Sequence, residues 1–259
     1  MRRLLVTGGS GFLGSELVRR APAAGWQVRA TWHTRRPELE AEWVRLDVRD
    51  AGAVARAVEG ADCTIHTAFV QHGPEAWTTT AEGAGVVARA AAGSRLLHLS
   101  SDVIFDGARG HYREEDEPHG VNDYARAKIE AERLVAAAHP RALIARTSLL
   151  YGGPEPGPQE RLAAAGGTFF VDEIRSPVQV GDLAGALLEL AELDVAGILH
   201  LGGADDVSRY DFALLLGADP ARVEPGRTTP DRSPDVSLDS SRAAALLRTR
   251  LRGVREVLA

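Results

Sequence analysis

The sequence is short of lysine and cysteine and has no long apolar run. Of its 30 basic side chains, one is a lysine, Lys128, and the rest are arginines. The single cysteine, Cys63, rules out an internal disulfide and a cysteine-rich zinc site. No apolar stretch is long enough to span a bilayer. Met1 runs almost directly into a strand-like segment, which leaves no room for a secretory leader. A cytoplasmic protein in a reducing compartment is expected, with no membrane partner. Excess positive charge is also missing. The formal net charge is -6 and the pI about 5.8, so a nucleic-acid binder held by a general positive field is not expected. What is present is ordinary for a globular chain: 259 residues, 44% hydrophobic and 25% charged. That length suits one large domain, or one domain plus a small lobe, with a sizeable core.

The first 150 residues alternate short apolar runs with helical patterns. Strands are expected at 4–7, 27–32, 43–48, 63–68, 96–101 and 142–147. The runs are β-branched or leucine-rich, as in parallel strands covered on both faces. Helical stretches fall at 12–20, 51–58, 75–92 and 122–138, and Asp50 is placed to cap the second. The rhythm predicts an α/β protein, a Rossmann-type doubly wound parallel sheet with a small C-terminal substrate lobe. The expected division is a dinucleotide-binding domain at 1–150 and a lobe at 151–259, some of which returns to the core. Gly152-Gly153-Pro154-Glu155-Pro156-Gly157-Pro158 reads as a loop or lobe boundary. Beyond it come a strand at 168–171, a helix opened by Asp182, a strand at 198–201 and a helix from Ser208. Residues 222–234 read as loop, and two short helices close the chain.

Thr7-Gly8-Gly9-Ser10-Gly11-Phe12-Leu13-Gly14 follows the first strand and opens the first helix. Glycines at 8, 11 and 14 suit a tight turn, a backbone close enough to touch pyrophosphate, and a close helix–strand contact. The diphosphate would sit against N–H groups at a helix N-terminus. The position right after the first strand favours this over a purely structural turn. Residues 27–37 carry no acid to hold a ribose 2′-hydroxyl; they carry Arg29, Arg35 and Arg36. Arginine can pair bidentately with a 2′-phosphate, so NADP(H) is favoured over NAD(H), the alternative being solvated surface arginines. Asp47, at the end of the third strand, could accept from an adenine amino group or simply make a turn.

Tyr124 and Lys128 stand four residues apart in a helical stretch, on one face. A nearby ammonium favours phenolate and should lower the tyrosine pKa, giving a proton donor usable near neutral pH. The only lysine of the chain lies one turn after one of its four tyrosines; a surface pair is the alternative. Ser100 and Ser101 end the fifth strand, at the carboxyl edge where ligands bind in such sheets. A hydroxyl there can steady a developing alkoxide, or cap the following loop.

These residues resemble the extended short-chain dehydrogenase/reductases, and within them the dTDP-4-dehydrorhamnose reductase group. The matching blocks are the glycine turn, Ser100-Ser101-Asp102-Val103-Ile104-Phe105-Asp106-Gly107, Asn122-Asp123-Tyr124 with Lys128, Arg146-Thr147-Ser148-Leu149-Leu150-Tyr151-Gly152, and Ser176-Pro177-Val178-Gln179-Val180-Gly181-Asp182. The resemblance implies a catalytic triad of Ser101, Tyr124 and Lys128. Tyr124 would be the proton donor, and Lys128 would bind the nicotinamide ribose. It implies cofactor contacts from Thr7, Gly8, Ser10, Gly11, Phe12, Leu13, Gly14, Arg35, Arg36, Asp47, Val48, Thr67, Ala68, Tyr124 and Lys128. It implies substrate contacts from Ser101, Asp102, Val103, Arg146 and Arg175. Related dehydratases carry Asp-Glu after the catalytic Thr; here Val103 follows Asp102, which points to simple reduction. The implied reaction is NADPH-dependent reduction of a carbonyl, foremost the 4-keto group of a nucleotide-linked 6-deoxy sugar. Another biosynthetic carbonyl, a nucleotide-sugar epimerase and a non-catalytic NADP-binding regulatory subunit are the alternatives. The chain departs from the group at Ala125, Ala127, Leu149 and His66-Thr67-Ala68-Phe69.

His111, Glu114, Glu115, Asp116, Glu117 and His119 crowd one loop, which reads as a solvated acidic stretch, and no metal is expected. Arg146, Arg175 and Arg209 could reach a substrate diphosphate. The small residues at 83–92 would suit packing on a second copy, giving a homodimer, or on the chain's own sheet.

Overall fold

A computed structural model describes residues 2–258. Its main sheet has seven strands: β1 (Arg2–Thr7), β2 (Trp26–Trp32), β3 (Glu42–Arg45), β4 (Cys63–His66), β5 (Arg95–Ser101), β6 (Leu143–Thr147) and, late in the chain, β11 (Gly197–Leu201). They lie in the order β11-β6-β5-β4-β1-β2-β3. The pairings of β1 with β2 and β4, β2 with β3, and β4 with β5 are parallel. The strands are largely apolar because both faces are covered: Leu4, Leu5 and Val6 are fully buried, and every residue of β6 is buried. After β1 the chain builds outward to β2 and β3, then returns to the other side of β1 with β4. This reversal opens a crevice at the carboxyl ends of the strands.

The chain forms two compact units. The first holds the segments up to Ser100, Ala127–Ala145 and Ala184–Ile198. Its helices include α1 (Phe12–Arg20), α2 (Ala51–Val58), α3 (Gly83–Ala90) and most of α4 (Asp123–Ala138). Asp50 caps α2 as expected, accepting from Ala53 N–H at 3.0 Å. Leu5, Val54, Val87, Leu96, Ala131 and Ile144 belong to one core. A Cβ at Gly83 would come within 2.7 Å of Val48, and one at Gly85 within 3.2 Å of Leu134. The small residues of α3 therefore serve close packing inside the chain's own fold. The turn before α3, Thr78–Glu82, is π-helical, a local widening often found at functional sites.

The second unit holds Ser101–Arg126, Arg146–Leu183 and the chain from Leu199 onward. It is built on short pairs. β7 (Leu150–Tyr151) and β10 (Val178–Gln179) are parallel, as are β8 (Gly167–Phe170) and β13 (Val223–Gly226), while β9 (Ile174–Arg175) and β12 (Val207–Ser208) are antiparallel. The helices are α5 (Pro158–Ala165), α7 (Arg209–Leu215), α8 (Ser241–Leu246), α9 (Val254–Leu258) and the start of α6 (Val180–Leu190). Two expectations are corrected. The proline-rich run does not end in loop, because Pro158 opens α5 at a position where its missing N–H costs nothing. Residues 222–234 are not all loop either, since β13 lies within them. Pro225 is tolerated there because the pair has only two strands, each an edge.

Candidate active site

The first unit carries a cleft of about 270 Å³ at the carboxyl ends of its strands. Gly8, with φ 69°, turns the chain out of β1; a Cβ there would lie 2.8 Å from the Ala68 nitrogen. Gly11 N–H donates to the Gly8 carbonyl at 2.9 Å and closes the turn. A Cβ at Gly14 would collide with that same carbonyl. Gly11 stands at the N-cap of α1, where no side chain caps the helix and the first turn has no acid. The helix start is left open to an anion, so these residues fit the diphosphate of a dinucleotide.

Gly8, Ser10, Gly11, Asp47, Val48, Thr67 and Ala68 all line this cleft. Phe12, Leu13 and Gly14 form the first turn of α1, with Leu13 and Gly14 buried. Thr7 points inward, with its hydroxyl 2.6 Å from His66 Nδ1, and offers its carbonyl to Thr67. Arg35 and Arg36 are exposed after β2. Arg29 is spent elsewhere, donating to Glu42 at 2.8 Å and to the carbonyls of Ala57 and Glu59. Asp47 is gripped by Arg49, which holds its carboxyl down at about 2 and keeps it ionised. Arg49, Phe69 and Thr79 line the cleft too. Sequence reading passed over them; the only signal was their place just past a strand end or, for Thr79, in a helix read as regular.

Lys128 is 4% exposed and donates to the Leu99 carbonyl at 2.9 Å, with the Phe69 ring 5.0 Å from Nζ. Burial pulls its pKa down to about 8. Behind it lies a buried polar row. His66 and His98 are cross-strand neighbours on β4 and β5, with ring centroids 5.2 Å apart. Burial holds His66 neutral down to about 3 and pushes His98 down as well.

In the second unit Ser101 ends β5, and Tyr124 lies in the first turn of α4, which Asn122 opens by accepting from Ala125 N–H at 2.9 Å. Tyr124 and Lys128 thus sit one turn apart on one helix. The phenol is pushed up, first by burial and then by the charge of Asp102. The lowering expected from the lysine is absent, and the tyrosine is held protonated. Asp102 is buried and bonds to Ser101 and Ser148. Val103 is half-buried. Arg146 is 1% exposed, stacks its guanidinium 5.3 Å from the Phe105 ring and donates to the Glu114 carbonyl. Arg175 donates to the carbonyls of Ile174, Ser233 and Pro234. Both arginines brace the second unit from within. Glu173, fully buried, holds Arg232 at 2.8 Å and has Arg175 at 3.6 Å.

Arg209 is different. Burial, with Arg175 and Arg232 beside it, lowers its pKa to about 10. Among the described residues no carboxylate lies within ion-pair distance of its guanidinium, although the charges of Glu173 and Asp102 favour its charged form. The acidic loop is partnered locally: Asp116 takes Arg109 and the Arg113 N–H, and Glu114 accepts from His200 N–H. No group of three metal-binding side chains occurs among the described residues. None of their helices is long and apolar enough to cross a membrane.

A parallel sheet with a glycine turn after β1, and a Tyr-x-x-x-Lys helix after a strand ending in serine, define a class: nicotinamide-dependent oxidoreductases of the extended short-chain dehydrogenase/reductase type. Residues 1–250 match the RmlD substrate binding domain family, and the chain belongs to it. It is 35% identical to a dTDP-4-dehydrorhamnose reductase of Mycolicibacterium smegmatis, over 99% of this chain and 84% of that one. It is 29% identical to methionine adenosyltransferase 2 subunit beta of Xenopus laevis, over 83% of this chain and 71% of that one. The fold is shared with the crystal structure of dTDP-4-dehydrorhamnose reductase from Bacillus anthracis in complex with NADP. The TM-score is 0.84 at 23% identity, over 100% of this chain and 97% of that one.

Proposed function

We propose that the protein is an NADPH-dependent reductase of the 4-keto group of a nucleotide-linked 6-deoxy sugar, acting through Ser101, Tyr124 and Lys128. The observation that carries the substrate class is Arg209, a largely buried guanidinium without a carboxylate partner, in the unit that also holds Ser101 and Tyr124. The charges of Glu173 and Asp102 favour that guanidinium only from beyond ion-pair distance; a sugar diphosphate would pair with it directly. The name of the Mycolicibacterium smegmatis relative supports the same reading. Bound nicotinamide would supply the hydride. The chain's own part is to hold the carbonyl and give it a proton. Tyr124, held protonated, donates from its phenolic oxygen to the carbonyl oxygen, and Ser101 donates a second hydrogen bond that steadies the developing alkoxide. Lys128, one turn along the same helix, would hold the cofactor ribose. Preference for NADPH over NADH is assigned to Arg35 and Arg36, in a loop without an acid. A cytoplasmic setting suits the lone cysteine.

The test is NADPH oxidation with dTDP-4-dehydrorhamnose, run beside Tyr124→Phe. Turnover that drops by roughly 1,000-fold in the variant supports the assignment. Turnover that survives removes Tyr124 from its role. A second reading, a regulatory subunit, draws on the likeness to methionine adenosyltransferase 2 subunit beta. It predicts cofactor binding with no turnover.

A further inference from the structure

A line of hydrogen bonds in the second unit ends on Ser101. Asp102, the next residue, is 2% exposed, and both its oxygens are engaged. Oδ1 accepts from Ser101 Oγ at 3.0 Å and Oδ2 from Ser148 Oγ at 2.5 Å. Ser148, just past β6, is held in turn, its Oγ accepting from Ser176 N–H at 3.2 Å. The line therefore runs from Ser176 through Ser148 and Asp102 to the serine at the end of β5.

A hydroxyl has one hydrogen. If Ser101 gives it to Asp102, it has none for a substrate oxygen. The direction of that hydrogen depends on the charge of Asp102. A carboxylate draws it to Oδ1. A carboxyl protonated on Oδ1 donates to Ser101 Oγ instead and releases the Ser101 hydrogen. Burial favours the neutral acid, while Arg175 and the two hydroxyls favour the carboxylate. The charged and titratable groups facing Asp102 are Tyr124 from α4, Arg175 from β9 and Arg209 from α7.

We propose that Asp102 is a positioning residue: it aims the Ser101 hydroxyl, and Ser148 clamps it from behind. The inference rests on the reading that the chain reduces a carbonyl through Ser101 and Tyr124. Such a reduction needs both hydroxyl hydrogens on the carbonyl oxygen. The protonated Asp102 state is then the active one, and turnover falls as pH rises through its titration.

The experiment measures kcat and KM against pH, with NADPH and dTDP-4-dehydrorhamnose, for the wild type, Asp102→Asn, Ser148→Ala and Ser148→Thr. A carbon-13 carboxyl titration of the cofactor-free protein runs in parallel, with the Asp102 signal identified by its loss in Asp102→Asn. In the wild type kcat falls along a limb that Asp102→Asn abolishes, with KM changed by less than about twofold. Ser148→Ala removes a donor that favours the carboxylate. The limb and the carboxyl titration both move up by about one pH unit, and Ser148→Thr restores them. A merely structural serine would lower kcat at every pH and leave the limb in place. A limb that survives in Asp102→Asn, or a carboxyl titration unmoved by Ser148→Ala, overturns the proposal. A wild type that oxidises no NADPH rejects the reductase reading; the carboxyl titration still decides whether Ser148 clamps Asp102.

Discussion

The two units solve the problem of holding charge by opposite means. In the first, the proposed recognition is made from backbone: a glycine turn, an uncapped helix start, and a cleft whose two acids, Asp47 and Glu75, are both held by Arg49. In the second it is made from side chains, with Asp102, Glu173, Arg175, Arg209 and Arg232 buried or half-buried around one another. Backbone recognition is indifferent to side-chain chemistry and intolerant of bulk. Side-chain recognition tolerates bulk at its edges and fails when one charge is removed. The first is suited to a ligand that many proteins share, the second to a ligand that must be told from its relatives.

Substitutions should separate these two behaviours. The largest effect is expected at Gly14→Ala, where one methyl group meets the Gly8 carbonyl. Binding of NADPH, measured by fluorescence titration, should weaken by roughly 100-fold or more, since the turn must open to admit it. Unchanged affinity would mean the turn is not the diphosphate seat. Arg209→Met should raise KM for a sugar diphosphate by roughly 10- to 100-fold and leave NADPH affinity alone, as expected for loss of one charge-assisted contact. An equal loss for both ligands would abolish the contrast between the units. A third test concerns stability. His66 stays neutral in the folded state down to about 3, whereas the unfolded chain takes up the proton near 6.5. Stability from this group is therefore whole above about pH 6.5 and falls with pH, by about 2 kcal/mol at pH 5. Urea unfolding at pH 7 and pH 5 reads it directly, and His66→Gln should reduce the slope. The smallest effect is expected at Arg35→Ala with Arg36→Ala. The ratio of NADPH to NADH affinity should drop by roughly 10-fold, because both side chains are exposed. No change would leave the cofactor preference to other groups, Arg49 among them.

Legibility followed the same division. Gly8, Gly11 and Gly14 could be read from sequence because backbone geometry admits one residue type there, and residue type is what a sequence displays. Asp50 was legible because a cap acts over three residues. Arg29 was not: what occupies it is Glu42 across a strand pair and two carbonyls at the end of α2. Charge marked Arg146 and Arg175 as candidate substrate contacts; that they also donate to the carbonyls of Glu114, Ser233 and Pro234 could not be read from it. The Asp102–Ser148 contact joins positions 46 apart in sequence, so the motif that contains each says nothing of the other. Tyr124 was placed correctly on its helix, yet its pKa moved the other way, because desolvation outweighs the neighbour that local spacing reveals.

The solitary lysine has one further consequence. Grown on lysine carrying nitrogen-15 at the ε position, the protein would show a single side-chain ammonium resonance, from Lys128. The spectrum would need no assignment. Its titration, expected near 8, and its response to added dinucleotide or sugar nucleotide would be a direct view of the reacting helix from inside the protein.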